Sequence, residues 1–150
     1  MKIISGGQTG ADRAALIAAF DSNIETGGWM PKGFKAQDGT WPEFAEAFNI
    51  KEHESPYYPP RTALNVKESD ATIRFASDWS SSGELLTLNM INQYKKPYLD
   101  IDIITPLNHT VTVEFIKRYQ IINIAGNSER TSPGIYDFVY NYLIETFRLC

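Results

Sequence analysis

Apolar residues along this chain come in short runs that end at glycine or serine, and these runs alternate with stretches of helical spacing. Ile3-Ile4 breaks at Ser5-Gly6-Gly7, and an alanine-rich stretch runs from Ala11 to about Asp21. That order predicts a first strand, a tight turn, and a helix whose small residues suit close packing on a sheet. Ile24 to Trp29 predicts a weak strand, interrupted by Gly27-Gly28. From Met30 to Pro60 the chain reads as irregular, punctuated by Pro31, Gly33, Gly39, Pro42, Pro56, Pro59 and Pro60, with room for a short helix around Phe44 to Phe48. A connection of that length is more often functional than idle.

Beyond Arg61 the pattern turns regular. Thr62 to Glu68 predicts a short helix, and Ala71 to Ala76 alternates as a strand. Leu85, Leu88, Ile91 and Tyr94 recur at helical spacing within Glu84 to Tyr94. Tyr98 to Ile101 predicts a strand, Val111 to Tyr119 a helix, and Ile121 to Gly126 a strand. A last helix starts near Pro133, with Tyr136, Val139, Tyr140, Leu143 and Phe147 on one face. Strand and helix alternate throughout, without an internal repeat. The expected fold is α/β and doubly wound: a mostly parallel sheet of about five strands, with helices on both faces, in a single domain spanning residues 1–150.

The turn after the first strand carries the most chemistry. Gly6, Gly7 and Gly10 lie within Ser5-Gly6-Gly7-Gln8-Thr9-Gly10-Ala11-Asp12. Glycines there permit positive φ and close approach of a ligand to the main chain. The helix start adds free N–H groups and a partial positive charge, so a phosphate-bearing ligand is the leading reading. A Walker-type loop would need Lys and Ser/Thr after the last glycine, where this chain has Ala11-Asp12. The dinucleotide fingerprint places its glycines at the first, third and sixth positions, which these do not match. A plain strand-to-helix turn without a ligand is the bland alternative, and Asp12 could serve only the helix dipole.

Composition narrows the partners. With 150 residues, 43% hydrophobic and 21% charged, the chain is an ordinary single globular domain. A net charge of −4 argues against a nucleic-acid or membrane-surface binder. The one cysteine, Cys150, allows no internal disulfide, and no signal-peptide pattern or membrane-length apolar run occurs, so a cytoplasmic location is expected. His53 and His109 have no companion ligands at metal spacing, so no metal site can be drawn.

Four polar groups follow predicted strands and should meet at one edge of the sheet, where such folds bind ligands. They are Ser5 to Gly10, Gly27 to Gly33, Ser77 to Glu84, and Gly126 to Arg130. Lys32, Arg61 and Arg130 are candidate anion contacts, since guanidinium can grip phosphate bidentately. Ser81-Ser82-Gly83-Glu84 resembles a second anion-binding helix start, with a serine cap and outward N–H groups. Asp38, Asp70 and Glu84 are carboxylates able to act as a base or to hold a ribose hydroxyl. Trp29 is a candidate stacking surface for a ligand ring.

The motifs together resemble the molybdenum carrier family. Ser5 to Leu16 looks like its opening motif, and Gly27-Gly28-Trp29-Met30-Pro31-Lys32-Gly33 with Asp38-Gly39 its second. Arg61, Asn65-Val66 and Ser69-Asp70 match the third in kind and order. Asn123 to Arg130 with Ser132 to Tyr136, including Asn127, is similar to the last. The resemblance covers almost the whole chain. It implies a Rossmann-like fold related to the superfamily of the cytokinin-activating phosphoribohydrolases. It also implies binding of the molybdenum cofactor, a phosphorylated pterin dithiolene (molybdopterin), or of another phosphorylated ligand. The family name is a label given by inference, so it transfers a hypothesis rather than an activity. Two departures stand out: Ser82-Gly83-Glu84 replaces the usual Gly-Gly-Thr, where an acidic group would repel an anion, and Met30 replaces a cysteine.

Three readings follow. The first is a non-catalytic carrier of a phosphorylated pterin or nucleotide, whose partners would include molybdoenzymes receiving the cofactor. On that reading Gly6, Gly7, Gln8, Thr9, Gly10, Asp12, Trp29, Lys32, Gly33, Arg61, Asn65, Ser82, Gly83, Asn127 and Arg130 form the binding site, and any metal arrives inside the ligand. The second is an enzyme cleaving the N-glycosidic bond of a nucleoside monophosphate, although only Gly83 and Glu84 faintly echo the motif of such enzymes. The third is a nucleotide-sensing module. A homo-oligomer formed through the aromatic-rich last helix is compatible with each.

Overall fold

Each apolar run becomes a parallel strand, and most of the helical stretches become the crossovers between strands. In the computed structural model, which describes residues 1–150, the chain runs β1 (Lys2–Ile4), α1 (Ala11–Asp21), β2 (Glu25–Met30), β3 (Lys35–Ala36), β4 (Gly39–Thr40), α2 (Phe44–Ala47) and β5 (Ile50–Glu52). It continues through α3 (Tyr58–Glu68), β6 (Ala71–Ala76), α4 (Ser82–Tyr94), β7 (Tyr98–Asp102), α5 (His109–Ile116), β8 (Ile121–Gly126) and α6 (Ile135–Leu149). Six strands form one parallel sheet in the order β5-β2-β1-β8-β6-β7, while β3 and β4 make a separate antiparallel ribbon. Helices α1, α5 and α6 pack together on one face, and α3 and α4 on the other. The expected doubly wound α/β sheet is therefore present, with six strands instead of about five.

The additional strand, β5, lies inside the stretch read as irregular. Three residues at a sheet edge are too few to display alternation, so its pairing with β2 is set by tertiary packing. The chain lays β1, β2 and β5 outward, crosses to β6 and β7, then returns to insert β8 between β1 and β6. Counting β8 as first, followed by β1, β2, β5, β6 and β7, the spatial order becomes 4-3-2-1-5-6. The strands thus wind outward on both sides of a single switch point between β8 and β6, where such sheets form their ligand crevice.

The core explains the spacing of the helices. Ala11, Ala14, Ala15, Ala18 and Ala19 are fully buried, so α1 lies close against the sheet and α6. Ile3, Ile73, Phe75, Ile122 and Ile124 meet them from the strands, with Ile135, Val139 and Leu143 from α6. Full burial of each large side chain contributes about 1.5–3 kcal/mol. All six residues of β6 are buried, as a parallel strand covered on both faces requires. A second cluster of Leu16, Met30, Ala36, Phe44, Phe48 and Ile50 ties the ribbon and α2 to α1 and β5.

Several boundaries differ from the sequence reading for identifiable reasons. Helix α3 starts at Tyr58, not Thr62, because Pro59 and Pro60 occupy its first turn, where a missing N–H costs nothing. Helix α5 starts at His109, not Val111, because the Asn108 side chain caps the Thr110 N–H at 2.9 Å. On α6 the buried stripe is Ile135, Val139, Tyr142, Leu143, Thr146 and Phe147; Tyr136 and Tyr140 are only half-buried.

Candidate functional site

The loops after β1, β6 and β8, together with the first turns of α3 and α4, enclose a cleft of about 390 Å³ above the switch point. That volume is within the range of small-molecule sites. Gly6, Gln8 and Asp12 line it from the first loop, Arg61 and Asn65 from α3, and Ser82, Gly83 and Glu84 from α4. Asn127 closes it from the end of β8, and Gln37 reaches it from the ribbon.

Arg61 is the most exposed contradiction of ordinary packing rules. Its side chain is 13% exposed, yet it donates no hydrogen bond, and its buried Nε has no partner. The nearest charge is Asp12, with Arg61 Nη1 and Asp12 Oδ2 3.7 Å apart, too far for a hydrogen bond. The guanidinium lies over the Tyr58 ring at 5.3 Å and presses on the main chain at Gly6, where a Cβ would come within 1.8 Å of Nη1. Burial lowers the Arg61 pKa while Asp12 raises it; the group stays a cation. Burial likewise pushes the Asp12 carboxyl up against the pull of Arg61 and the Gln8 N–H.

The first loop spends three of its N–H groups, while those of Thr9, Gly10 and Asp12 have no partner within the protein. Gln8 N–H donates to Asp12 Oδ2 at 3.3 Å, Gly7 N–H to Ser5 Oγ at 3.4 Å, and Ala11 N–H to the Asn127 carbonyl at 3.2 Å. Asp12 thus sits where an anion would otherwise be held by the loop. The start of α4 is open as well. Ser81 is the N-cap residue but its side chain caps nothing, and the Ser82, Gly83 and Glu84 N–H groups have no partner within the protein. Nothing lies within 4 Å of where a Gly83 Cβ would stand.

Asn127 organises the rest. Its Oδ1 accepts from the Ser77 and Asp78 N–H groups at 2.9 and 3.0 Å. Its Nδ2 therefore faces the Asp78 carbonyl at 3.0 Å, with Ser81 Oγ and Glu84 Oε2 each at 3.3 Å. Glu84 is 2% exposed, and its Oε1 has no partner. Burial raises its pKa to about 7, opposed by Arg74 and reinforced by Asp12 and Asp100. A buried carboxyl titrating near neutrality in a cleft is a functional-site signature. Arg74 Nη1 holds the Glu84 carbonyl at 3.0 Å while the same guanidinium pairs with Asp100. Gln8 completes the set: its Nε2 donates to the Lys35 carbonyl at 2.9 Å, leaving Oε1 buried without a partner.

The Circularly permutated YpsA SLOG family model (cpYpsA) matches residues 3–147. The chain belongs to this family. It is also 39% identical to a Syntrophus aciditrophicus SB protein whose 1.45 Å crystal structure is named "Putative molybdenum carrier protein". That likeness covers 97% of this chain and 93% of the other, with a TM-score of 0.85. No curated protein matches significantly.

In this cpYpsA family chain several residues expected at the site lie outside the cleft. Gly7 and Gly10 shape the loop: both have positive φ, and a Cβ would meet Met30 Sδ at 2.6 Å and the Asn127 carbonyl at 2.5 Å respectively. Thr9 turns to Gln37 on the ribbon. The Trp29 indole N–H donates to Glu68, and Lys51 sits over its ring, so its surface is already engaged. Asn65 lines the cleft but spends its amide on the Trp29 main chain. Lys32 and Arg130 are exposed without partners, and the Gly33 N–H binds Glu52. Asp70 bonds the Gln120 and Ile121 N–H groups and Asp38 binds Arg13, so both carboxylates serve structure. Tyr58, Gln37 and Thr87 line the cleft unanticipated; the Pro59-Pro60 helix start was the available signal for Tyr58. No helix is long and apolar enough to cross a membrane, and no three His, Cys, Asp or Glu side chains gather as a metal site.

Proposed function

We propose that this cpYpsA family protein is a cytoplasmic carrier that holds a phosphorylated heterocycle in the cleft, with molybdopterin or a nucleotide-like molecule as cargo. One observation carries the reading: a nearly buried arginine that donates no hydrogen bond within the protein and whose Nε is buried without a partner. Such a group costs stability unless an anion completes it, and phosphate fits guanidinium bidentately. The free N–H groups opening α4 supply the second half of the anion seat, which places the phosphate between Arg61 and α4 on this reading.

Molybdopterin is compatible with these residues. Arg61 and the α4 N–H groups would take its phosphate, and Gln8 and Glu84 would face its pterin. The cleft offers no thiolate or clustered carboxylates to a metal, so molybdenum would ride on the dithiolene sulfurs of the cargo. When bound, that cargo would be a redox-active group awaiting transfer to a molybdoenzyme. The name of the Syntrophus aciditrophicus relative supports this class of cargo.

The test is calorimetric titration with a phosphorylated 6-hydroxymethylpterin and with nucleoside monophosphates. Arg61→Ala is expected to weaken the tightest binder by about 1.5–3 kcal/mol, roughly ten- to hundredfold, because a charge-assisted contact is lost. Unchanged affinity would remove the reading. A second reading, hydrolysis of a nucleoside monophosphate at its N-glycosidic bond, is favoured by Glu84 alone, since a carboxyl titrating near 7 can protonate a leaving base. Release of free base during incubation, abolished in Glu84→Gln, would decide for it.

A further inference from the structure

The cleft holds a second feature besides its anion seat. Two residues of its lining each carry a buried acceptor atom with nothing donating to it: Gln8 Oε1 and Glu84 Oε1. Neither can be relieved by a local rearrangement. Gln8 cannot flip, because its Nε2 holds the Lys35 carbonyl, and a flipped amide would set oxygen against oxygen there. Glu84 cannot turn Oε1 inward without losing Oε2 from Asn127, and Asn127 is fixed in turn by the Ser77 and Asp78 N–H groups.

A ligand that satisfies this wall must present hydrogen-bond donors to it. Building on the phosphorylated-heterocycle reading, we propose that Gln8 and Glu84 select a 2-amino-4-oxopyrimidine edge, whose ring N–H and exocyclic amino group stand side by side. Pterins and guanine share that edge. Adenine presents a ring acceptor beside its amino group, which would set a lone pair against a lone pair. Hypoxanthine keeps the ring N–H but lacks the amino group, and leaves one acceptor empty. A site built to bond an N–H rejects the analogue lacking it, because the buried group is then unpaired.

Glu84→Gln gives a prediction that a purely structural role would not. The fixed Asn127 amide demands an oxygen from residue 84, so the new amide must turn its NH2 into the cleft. An acceptor becomes a donor at nearly constant shape. The experiment is a calorimetric panel at pH 8, where the Glu84 carboxyl, with its pKa near 7 beside Arg74, Asp12, Asp100 and Asn127, is ionised. The probes are two matched pairs: guanosine and inosine 5′-monophosphates, and 6-hydroxymethylpterin phosphate with its 2-oxo lumazine counterpart, plus adenosine 5′-monophosphate.

In the scaffold that binds, the 2-amino member is expected to be at least tenfold tighter than its partner. In Glu84→Gln that preference should collapse, and adenosine monophosphate should gain relative to guanosine monophosphate. Whichever pair binds tighter identifies the source as pterin or purine. Equal affinity within both pairs, or an unchanged preference in Glu84→Gln, overturns the edge assignment while leaving the anion seat intact, provided Arg61→Ala still weakens binding. If no phosphorylated probe binds the wild-type protein, the carrier reading and this inference fall together.

Discussion

Glycines that look equivalent in sequence play opposite parts in the cleft. A Cβ at Gly6 would strike the tip of the Arg61 side chain, which can move, and come within 2.9 Å of Asp12 Oδ2. A Cβ at Gly10 would strike the Asn127 main chain at 2.5 Å, at a φ of 79° that other residues rarely adopt. Gly6→Ala is therefore expected to fold normally and lose ligand affinity about tenfold or more as the guanidinium is displaced. Gly10→Ala should instead lower stability by roughly 2–4 kcal/mol, combining backbone strain with a forced shift. Thermal melts paired with calorimetry separate the two; equal melting temperatures would refute the distinction. Glu84 adds a pH signature. Its carboxyl titrates near 7 in the fold against an ordinary 4.5, so the folded state holds a proton that the unfolded chain has released between those values. Stability from this group is thus unimpaired below about pH 4.5, falls as pH rises toward 7, and levels off above it, a total of about 3 kcal/mol. Glu84→Gln escapes that cost. The variant should match the wild type near pH 4.5 and exceed it at pH 8 in urea denaturation, and parallel pH profiles would show that the shift is absent.

At the level of elements, the ribbon and its anchor to α1 decide how firmly the cleft is walled. Arg13 pairs with Asp38 through its two terminal guanidinium nitrogens, donates to the Gly7 carbonyl at 3.2 Å, and lies over the Trp41 and Phe44 rings at 4.8 and 5.3 Å. The same ribbon holds Gln8 through the Lys35 carbonyl and offers Gln37 to the cleft. The Arg13 hydrogen bonds depress the Asp38 pKa, so this clasp is present above the ordinary carboxylate range and is lost as pH falls through the folded value. Arg13→Ala is expected to leave the sheet intact but to speed amide hydrogen exchange across residues 35–41 at least tenfold. Unaltered exchange there would mean that the aromatic cluster alone holds the ribbon. None of this clasp was legible in sequence, because β3 and β4 are two residues each and their partners lie more than twenty positions away. By contrast α1, β6 and β8 matched their expected spans, since continuous apolar or alanine runs leave little choice of element. The candidate site divides along the same line. Arg61, the α4 start and Glu84 were readable as charge, helix-start and carboxylate chemistry, with Glu84 read both as a candidate base and as a group that would repel an anion. What the sequence did not carry is the burial that makes the Glu84 carboxyl partly neutral near pH 7.

The molecule as a whole places its ends on the side away from the cleft. β1 starts at the edge where parallel strands begin, and α6 returns from the opposite edge over 15 residues, about 22 Å of helix. Chain start and chain end therefore lie toward the same edge, and so does the α5–β8 connection, since α5 descends from the far end of β7. Counted from β8, the strands wind outward without the late insertion that the natural order requires. A chain opened between Arg118 and Tyr119, with Cys150 joined to Met1 by a flexible Gly/Ser linker of about ten residues, would keep every strand pairing and every cleft residue. The opening also spares the bond from Lys2 N–H to the Gln120 carbonyl and those from Asp70 to residues 120 and 121. Such a permutant should fold cooperatively, melt within about 10 °C of the parent, and bind the same phosphorylated probe with affinity within a few-fold. Local contacts between β8, α6 and β1 would then form early in the chain rather than last, so refolding should be no slower than in the parent. A permutant that folds but does not bind would show that the cleft depends on the natural chain order and not on the sheet alone.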